Sequence, residues 1–307
     1  MPQYKIAFMG TPDFAVPALE ALVAAGHNIK CVYTGEPKPS GRGHKLKLSP
    51  VQLAAEKHGL TIHTPKTLKT PEEEAFFKGL GVDIAIVVAY GMIIPETLIN
   101  ASPNGFLNIH GSLLPRWRGA SPIQSAIMAG DKEIGITIMK IVKELDAGPM
   151  LLKESIPVNE SDDIEEIYEK LKTIGANLIV ETLKSDKLPL EIPQDSNKAT
   201  FAPKIKKDDA LLDWNQSAFL LHRKIMALKA WPTAFFIANN EPIKVLSSNF
   251  QLLNHDYKLG TLIDSNFTIA CKDGLITLNT VQRPSKSAVS GTDFLNGFAL
   301  KIGQVIK

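Results

Sequence analysis

Short apolar runs alternate with amphipathic segments through the first half of the chain. A strand-like run covers residues 4–9, a helical pattern covers residues 14–25, and a second strand-like run covers residues 29–34. This order predicts a β-α-β opening. The nearly all-apolar run at residues 83–90 is typical of a parallel strand that is buried on both faces.

The same alternation continues to about residue 189. It predicts helices at residues 51–58, 72–80, 121–129 and 160–185, and strands at residues 61–64 and 134–140. Strands that alternate with helices favour an α/β fold with a doubly wound, mostly parallel sheet of Rossmann-like type. We therefore predict one such domain over residues 1–189.

The pattern changes after that point. Residues 190–207 are rich in proline and polar residues and lack a helical period, so we predict a linker there. One helix follows at residues 217–227. Short β-prone runs come next, at residues 233–237, 243–247, 260–263, 267–270, 275–281 and 298–302. They predict a second domain over residues 208–307, a small antiparallel β-barrel of the OB-like kind.

Composition excludes several classes of protein. The 307 residues are 44% hydrophobic and 21% charged with a net charge of +2, which is typical of an ordinary globular protein rather than a disordered one. From residue 200 onward, 13 Lys and Arg face 8 Asp and Glu. This excess could meet a polyanion, or it could be a solvated face.

Two cysteines and the N-terminus indicate the compartment. Cys31 and Cys271 lie far apart in apolar runs without a metal-ligand or CxxC pattern, so we expect reduced core residues. The first ten residues do not resemble a signal peptide, and no apolar segment is long enough to span a membrane. We predict a cytoplasmic protein. The turn after Gly10 lacks the glycine spacing of a dinucleotide fingerprint, which disfavours a nicotinamide cofactor.

The strongest candidate site follows the strand-like run at residues 106–110. Alternate residues of a strand share a face, so Asn108 and His110 point the same way, just before a turn bounded by Gly111 and Pro115. Asp146 opens a Gly/Pro loop after a later strand and could add a carboxylate. No nucleophilic Ser or Cys lies beside a base, so the three groups suit direct acyl transfer between two bound substrates.

Each group would have its own role in such a transfer. Asn108 could donate a hydrogen bond to an oxygen that becomes negative, and His110 could donate to it or move a proton. Asp146 is expected to raise the pKa of His110 and to keep the imidazole protonated near neutral pH. Taken singly, the residues also have structural interpretations: Asn108 as a turn former, His110 as a satisfied strand histidine, and Asp146 as a cap.

Longer motifs carry a family resemblance. They are FMGTPDFAVP at residues 8–17, GRGHKLKLSP at 41–50, RWRGASPIQ at 116–124 and APKIKK at 202–207, together with Asn108, His110, Asp146 and the turn SLLP at 112–115. With them the chain resembles the folate-dependent formyltransferases, and among these the enzymes that act on methionyl-tRNA. The resemblance implies transfer of the formyl group of 10-formyltetrahydrofolate to the amino group of methionyl-initiator tRNA, by a monomer that needs no metal.

The same resemblance implies functions for particular residues. Asn108, His110 and Asp146 would be catalytic. The folate would contact Val88, Tyr90, Gly91, Ile94, Ser112, Leu113, Leu114 and Pro115. The basic loop at residues 34–47, with Arg42 and Lys45, would enter the acceptor stem of the tRNA. Lys204, Lys206, Lys207, Arg223, Lys224 and Lys229 would form a strip that faces phosphates.

The composition of the basic loop supports this assignment. Gly41 and Gly43 flank Arg42, which would let the backbone approach a nucleic acid closely. A solvated surface loop is the alternative. This chain departs from the family at residues 35–38, where Glu36 and Lys38 stand in place of the more usual residues, so the details of the stem contact stay open.

Two other functions are compatible with the sequence alone. A sugar-nucleotide formyltransferase would share the catalytic corner but take a small acceptor, and the Arg42 loop and the Lys-rich linker disfavour it. A tRNA-binding or folate-binding module without catalysis would have no use for Asn108, His110 and Asp146 together.

Overall fold

The computed structural model describes residues 2–40 and 45–306, with the backbone alone at residues 39, 40 and 45. The strands are β1 (Lys5–Gly10), β2 (Asn28–Tyr33), β3 (Lys38–Ser40), β4 (Lys45–Lys47), β5 (Ile62–His63), β6 (Ile84–Val88), β7 (Phe106–His110), β8 (Arg118–Gly119), β9 (Glu133–Lys140), β10 (Met150–Pro157), β11 (Phe201–Ala202), β12 (Phe235–Ala238), β13 (Glu241–Leu252), β14 (Thr268–Cys271), β15 (Gly274–Gln282) and β16 (Val289–Ser290). The helices are α1 (Val16–Ala24), α2 (Pro50–Lys57), α3 (Pro71–Gly79), α4 (Glu96–Ile99), α5 (Pro122–Met128), α6 (Ile164–Thr182), α7 (Ala218–Leu228) and α8 (Gly291–Gly297).

The chain forms two compact units that are discontinuous in sequence. The first consists of residues 1–122, 135–156 and 168–201, and the second of residues 123–134, 157–167 and 202–307. The linear division at residues 189 and 207 stays a prediction. Within the described residues, no helix is long and apolar enough to cross a membrane.

A seven-stranded sheet forms the centre of the first unit. Its strand order is β10-β9-β7-β6-β1-β2-β5, and the five strands from β7 to β5 run parallel to one another. Every residue of β6 is buried, as expected of a central strand covered on both faces. The predicted mostly parallel, doubly wound α/β sheet is confirmed.

Local sequence signals fix the helices that flank this sheet. Ser49 accepts a hydrogen bond from the backbone of Gln52 at 2.9 Å and so caps α2, and Thr70 caps α3 in the same way. A proline occupies the first position of each of these helices, where its missing N–H costs no hydrogen bond.

The loops that follow parallel strands meet at one edge of the sheet, and Thr11 joins three of them. Its hydroxyl donates to the carbonyl of Tyr90 at 3.3 Å and accepts from the backbone of Gly35 at 3.2 Å. The loops after β1, β2 and β6 are therefore held together by one side chain.

The parallel series ends at β7, because β9 runs antiparallel to it. Thr137 lies opposite His110, and Lys140 lies opposite Leu107. The loop after β9 therefore starts near the beginning of β7. It must return along the sheet to reach the carboxyl end of β7.

The second unit has its own antiparallel sheet, with strand order β12-β13-β15-β14 and β16 paired to β15. The sheet, α7 and α8 enclose one apolar cluster that includes Phe236, Phe267, Phe294 and Trp214. Phe267 and Phe294 stack with their ring centres 5.3 Å apart. This arrangement is consistent with the small barrel that the sequence predicts.

Some of the predicted elements are wrong. Residues 298–302 do not form a strand: Phe298 follows α8 and stacks on Phe294, with the ring centres 4.6 Å apart. Residues 260–263 contribute two single bridges rather than a strand. The strand β10, the hairpin β3–β4 and the helix α8 were not predicted. Both cysteines are confirmed as buried free thiols, and burial raises the pKa of Cys31 to about 11.

Candidate active site

The carboxyl end of β7 carries the two predicted polar groups on one face. Ile109 points to the other face, where α6 packs so closely that a Cβ on Gly175 would lie 2.9 Å from Ile109 Cγ2. Asn108 and His110 therefore point away from α6, as the strand alternation predicts. Asn108 is half-buried, whereas His110 is only 5% exposed.

Two contacts define the tautomer of His110. Its Nε2 lies 2.9 Å from the carbonyl oxygen of Trp117, and a carbonyl can only accept, so Nε2 carries the proton and donates. Its Nδ1 lies 3.8 Å from Asp146 Oδ2, too far for a hydrogen bond. In the neutral ring the lone pair is therefore on Nδ1, on the side of Asp146.

The expectation of a protonated His110 is wrong. Burial lowers the pKa of His110 below its usual 6.5, and this outweighs the carboxylate of Asp146 and the Trp117 carbonyl, which both raise it. The direction of this shift favours the neutral imidazole. The sequence showed the carboxylate partner but could not show how completely the ring is removed from water.

Asp146 is held in an unusual backbone conformation. Its φ of 48° lies in the left-handed region, and its Oδ2 accepts a hydrogen bond from the backbone of Gly119 at 2.8 Å. Two residues later the chain passes so close to β9 that a Cβ on Gly148 would overlap the Lys140 carbonyl oxygen. The loop after β9 thereby brings the carboxylate to His110, as the sequence predicts.

The turn after β7 is built largely from its own polar groups. Ser112 is 1% exposed and its hydroxyl donates to the Arg116 carbonyl at 2.6 Å. Thr137 donates to the Ser112 carbonyl at 2.7 Å and accepts from the Leu114 backbone at 3.2 Å. Leu114 packs in a buried cluster with Met139 and Met150.

These contacts concern two residues of the predicted folate site, which stays a prediction. The side chains of Ser112 and Leu114 serve the turn, because both are buried within it. Leu113 and Pro115 are half-buried.

Residues 192–200 also belong to the site, which composition did not reveal. The backbones of Ile192 and Met150 exchange two hydrogen bonds, at 2.8 and 2.9 Å. Thr200 accepts from the Trp117 backbone at 2.9 Å, and Gln194 contacts both Arg118 and the Asp146 loop. An alternating apolar pattern is absent from this segment, so its sequence carries no signal for these contacts.

The remaining predicted folate residues follow β6. Val88 ends the strand and is fully buried, Gly91 is exposed with a φ of 82°, and Ile94 is half-buried. Tyr90 is 5% exposed and belongs to the apolar cluster of Tyr33 and Phe106, with which Ile94 also packs. Burial raises the pKa of the Tyr90 hydroxyl, which has no hydrogen-bond partner among the described residues.

A cavity of about 840 Å³ lies beside this region. It is lined by residues 99–106 and 140–144 together with Glu96. Its walls include none of Asn108, His110 and Asp146, so this cavity and the catalytic corner are lined by different residues.

The predicted tRNA loop is partly described. Arg42 lies outside the described residues, as does the side chain of Lys45. The described parts form the hairpin β3–β4, in which Lys38 lies directly opposite Lys47. Both of these lysines are exposed. Thr34 and Ser49 close the base of the loop through hydroxyls 2.7 Å apart.

The predicted phosphate-facing strip divides into two groups. Lys204, Lys206 and Lys207 are exposed. Arg223 is 2% exposed and donates to the carbonyls of Ile127 and Asn159, so it is a buried structural residue and the expectation that it faces phosphates is wrong.

Two lysines of the strip are likewise engaged within the second unit. Lys224 donates to the Leu211 carbonyl at 2.7 Å. Lys229 pairs with Asp163 at 2.5 Å and with Glu165 at 3.3 Å. Neither ammonium group is free to form a phosphate strip in this conformation.

Comparison with known proteins identifies the family of this chain. The formyl transferase family matches residues 4–183, and the formyl transferase C-terminal domain matches residues 204–299. The chain is 44% identical over 98% of its length to the methionyl-tRNA formyltransferase of Paramagnetospirillum magneticum and covers 99% of that protein. This chain belongs to the methionyl-tRNA formyltransferase family.

Other members and more distant structures extend the comparison. The methionyl-tRNA formyltransferase of Granulibacter bethesdensis is 45% identical, with 97% of this chain and 95% of that protein covered. The N-formyltransferase from Helicobacter canadensis, solved with folinic acid and dTDP-3-aminofucose, superposes with a TM-score of 0.69 at 16% identity, over 92% of this chain and all of that one. At that identity the likeness shows the fold alone. Among the described residues of this formyltransferase, no three His, Cys, Asp or Glu side chains are grouped to hold a metal ion.

Proposed function

We propose that the protein transfers the formyl group of 10-formyltetrahydrofolate to the free amino group of methionyl-initiator tRNA. The observation that carries the proposal is the corner of β7, where Asn108 shares a face with a buried His110 that Asp146 approaches to 3.8 Å. Membership of the methionyl-tRNA formyltransferase family supports the choice of donor and acceptor. We also propose that the protein is cytoplasmic and monomeric.

Asn108 would stabilise the oxygen of the formyl group. Among the described residues, no protein group hydrogen-bonds its side-chain amide, so the amide N–H groups are available to a ligand. As the amine adds to the formyl carbon, negative charge develops on this oxygen. A donor that is already oriented toward that charge stabilises it without reorganisation.

His110 would move the proton. Because Nε2 donates to Trp117, the lone pair on Nδ1 is the one that can take a proton from the attacking amine. The neutral amine first adds to the formyl carbon, which makes its N–H acidic enough for Nδ1 to accept the proton. The bond from that carbon to the donor nitrogen then breaks, and Nδ1 delivers the proton to the departing nitrogen. Asp146 stabilises the imidazolium that exists between these two transfers.

The segment after β6 and the loop after β9 fit a folate. Met92, Ile94 and Ile141 are partly buried apolar side chains from these two segments and pack on the same cluster. Ala89 and Gly91 have positive φ values of 46° and 82°, which turn backbone groups out of the strand direction. Apolar walls with a few backbone donors and acceptors suit a flat heteroaromatic ring. The bound donor supplies the formyl group.

The neutral state of His110 predicts the pH dependence. The pKa of the ring is lowered from its usual value, so the midpoint of the acid limb of kcat/KM is expected below pH 6.5, where Nδ1 becomes protonated. Asp146→Asn removes the carboxylate that raises the pKa, so the acid limb should move to still lower pH while kcat drops. The measurement is kcat/KM between about pH 5 and pH 8 for both proteins. An acid limb above pH 6.5, or one unmoved by Asp146→Asn, would contradict the assigned roles.

The hairpin β3–β4 supports a polyanionic acceptor. Lys38 and Lys47 are cross-strand neighbours, and like charges placed directly opposite each other are destabilising unless an anion lies nearby. A phosphate backbone would supply such an anion.

We therefore expect Lys38→Ala with Lys47→Ala to weaken tRNA binding without lowering kcat at saturation. Each lost phosphate contact should reduce the slope of log K against log salt by about 0.9. The KM for tRNA, measured over a series of salt concentrations, checks this. Lys57→Ala is the matched control, because it removes an exposed lysine of α2 that pairs with Glu20 of α1. An unchanged salt slope in the double variant, or an equal change in the control, would exclude the hairpin from the tRNA interface.

The choice of acceptor is tested by two parallel reactions. The wild-type protein receives 10-formyltetrahydrofolate with methionyl-initiator tRNA in one reaction and with an amino-sugar nucleotide in another. Formylation of the tRNA alone is expected. Formylation of the sugar nucleotide alone would assign the second enzymatic function, and binding of tRNA or folate without any transfer would assign a binding module.

A further inference from the structure

One half-buried amide connects the segment at residues 192–200 to the loop of Asp146. Gln194 Nε2 donates to the carbonyl of Asp146 at 2.8 Å and to the carbonyl of Gly148 at 2.8 Å. Its neighbours from residue 191 to residue 198 are all exposed, so Gln194 is the position of this stretch where the side chain turns inward.

The orientation of this amide is fixed by Arg118. The Arg118 Nε–H donates to Gln194 Oε1 at 3.0 Å, and since arginine can only donate, the oxygen of the amide must face it. The two N–H groups of Gln194 are thereby directed to the two carbonyls. Arg118 is itself only 7% exposed, so its side chain is not free to turn into solvent.

The carbonyls of Asp146 and Gly148 belong to the part of the loop where the backbone is strained. Asp146 has a left-handed backbone, a conformation that is strained for a non-glycine residue and persists only when its surroundings hold it. Gly119 holds the side chain of Asp146 through Oδ2, whereas Gln194 holds its backbone. The carboxylate is thus fixed from both ends.

We propose that Gln194 is a positioning residue, which holds the Asp146 loop so that the carboxylate keeps its place beside His110. This inference rests on the proposed function, since it assigns Gln194 to the same reaction. Gln194 acts through Asp146, because its hydrogen bonds go to Arg118, Asp146 and Gly148 and not to Asn108 or His110. A displacement of about 1 Å at a catalytic group can cost on the order of a hundredfold in rate.

Two substitutions separate the contacts of Gln194. Gln194→Met keeps the length of the side chain and removes all three hydrogen bonds. Gln194→Glu keeps an oxygen for Arg118 but replaces the donor with a second oxygen that repels the carbonyls of Asp146 and Gly148. Gln3→Met is the matched control, because Gln3 also donates its amide to a backbone carbonyl, that of Gly26 at 3.0 Å, away from the corner.

We expect both Gln194 variants to lower kcat about ten- to a hundredfold, with the KM values within about twofold of the wild type. The Glu variant should be the slower of the two, because it actively displaces the loop. In the uncharged Met variant, a displaced Asp146 raises the pKa of His110 less, so the acid limb of kcat/KM should move to lower pH. Gln3→Met should match the wild type in both kcat and acid limb.

The outcomes distinguish this inference from the proposed function. If the wild type formylates methionyl-tRNA and both Gln194 variants keep the wild-type kcat and acid limb, the positioning role is wrong and the function stands. A lower Tm with an unchanged kcat and acid limb would also overturn it, since Gln194 would then be only structural. If the wild type transfers no formyl group to tRNA while Asp146→Asn and Gln194→Met still shift the pKa of His110 measured by NMR, the function fails and the positioning role is retained.

Discussion

Replacement of His110 by alanine is expected to lower kcat for formyl transfer by about 10²- to 10⁴-fold, the usual contribution of a general acid–base group. The structure assigns the proton transfer to one atom, Nδ1, because Nε2 is engaged by the Trp117 carbonyl. The measurement is kcat at saturating concentrations of both substrates.

The control for this variant is another buried histidine of the first unit. His27 is 6% exposed, and burial lowers its pKa too, but its ring contacts the backbone of Tyr4. His27→Ala should lower the Tm and leave kcat of the folded protein unchanged. A His110→Ala protein that is folded and within about tenfold of the wild-type kcat would remove His110 from the chemistry.

Asn108→Ala is expected to have an effect of similar size, a loss of about 10²- to 10³-fold in kcat, or about 3–4 kcal/mol of transition-state stabilisation. The amide acts on charge that develops during the reaction, so kcat should fall more than the KM for either substrate rises. Circular dichroism and the Tm would confirm that the variant is folded.

Asn108→Asp sharpens this test, because the side chain keeps its size while one donor becomes an acceptor. A carboxylate facing the formyl oxygen would repel the charge that develops there, so this variant should be at least as slow as Asn108→Ala. Asn104→Ala is the control, since the Asn104 amide donates at 3.2 Å to the Asp83 carbonyl on another segment. Comparable rates for Asn108→Asp and the wild type would mean that another group stabilises the formyl oxygen.

The alternation of apolar and polar residues predicts which face of a buried strand each side chain lies on. The alternation of Leu107, Asn108, Ile109 and His110 was enough to place both polar groups on one face. The close approach of Asp146 was also expected, although not its route: because β9 is antiparallel, the loop returns along the sheet to reach His110.

Other features depend on distant contacts that no local pattern encodes. The lowered pKa of His110 follows from the depth to which the ring is buried. Arg223 belongs to a basic helix, but it is buried because the carbonyls of Ile127 and Asn159 surround its guanidinium. Gln194 lies in a segment with the composition of a polar linker. Its three hydrogen-bond partners are 46 to 76 residues away in sequence, so no local pattern indicates them.

The proposed activity of the β7 corner is formyl transfer to aminoacylated tRNA. Its most direct test is a single-turnover reaction in which 10-formyltetrahydrofolate labelled in the formyl carbon is mixed with methionyl-initiator tRNA and excess protein. With the wild type, the label should appear on the methionine amino group; with Asn108→Ala and His110→Ala, it should appear more slowly by the factors given above. Absence of label on the tRNA with the wild type, or equal rates in all three proteins, would contradict the account.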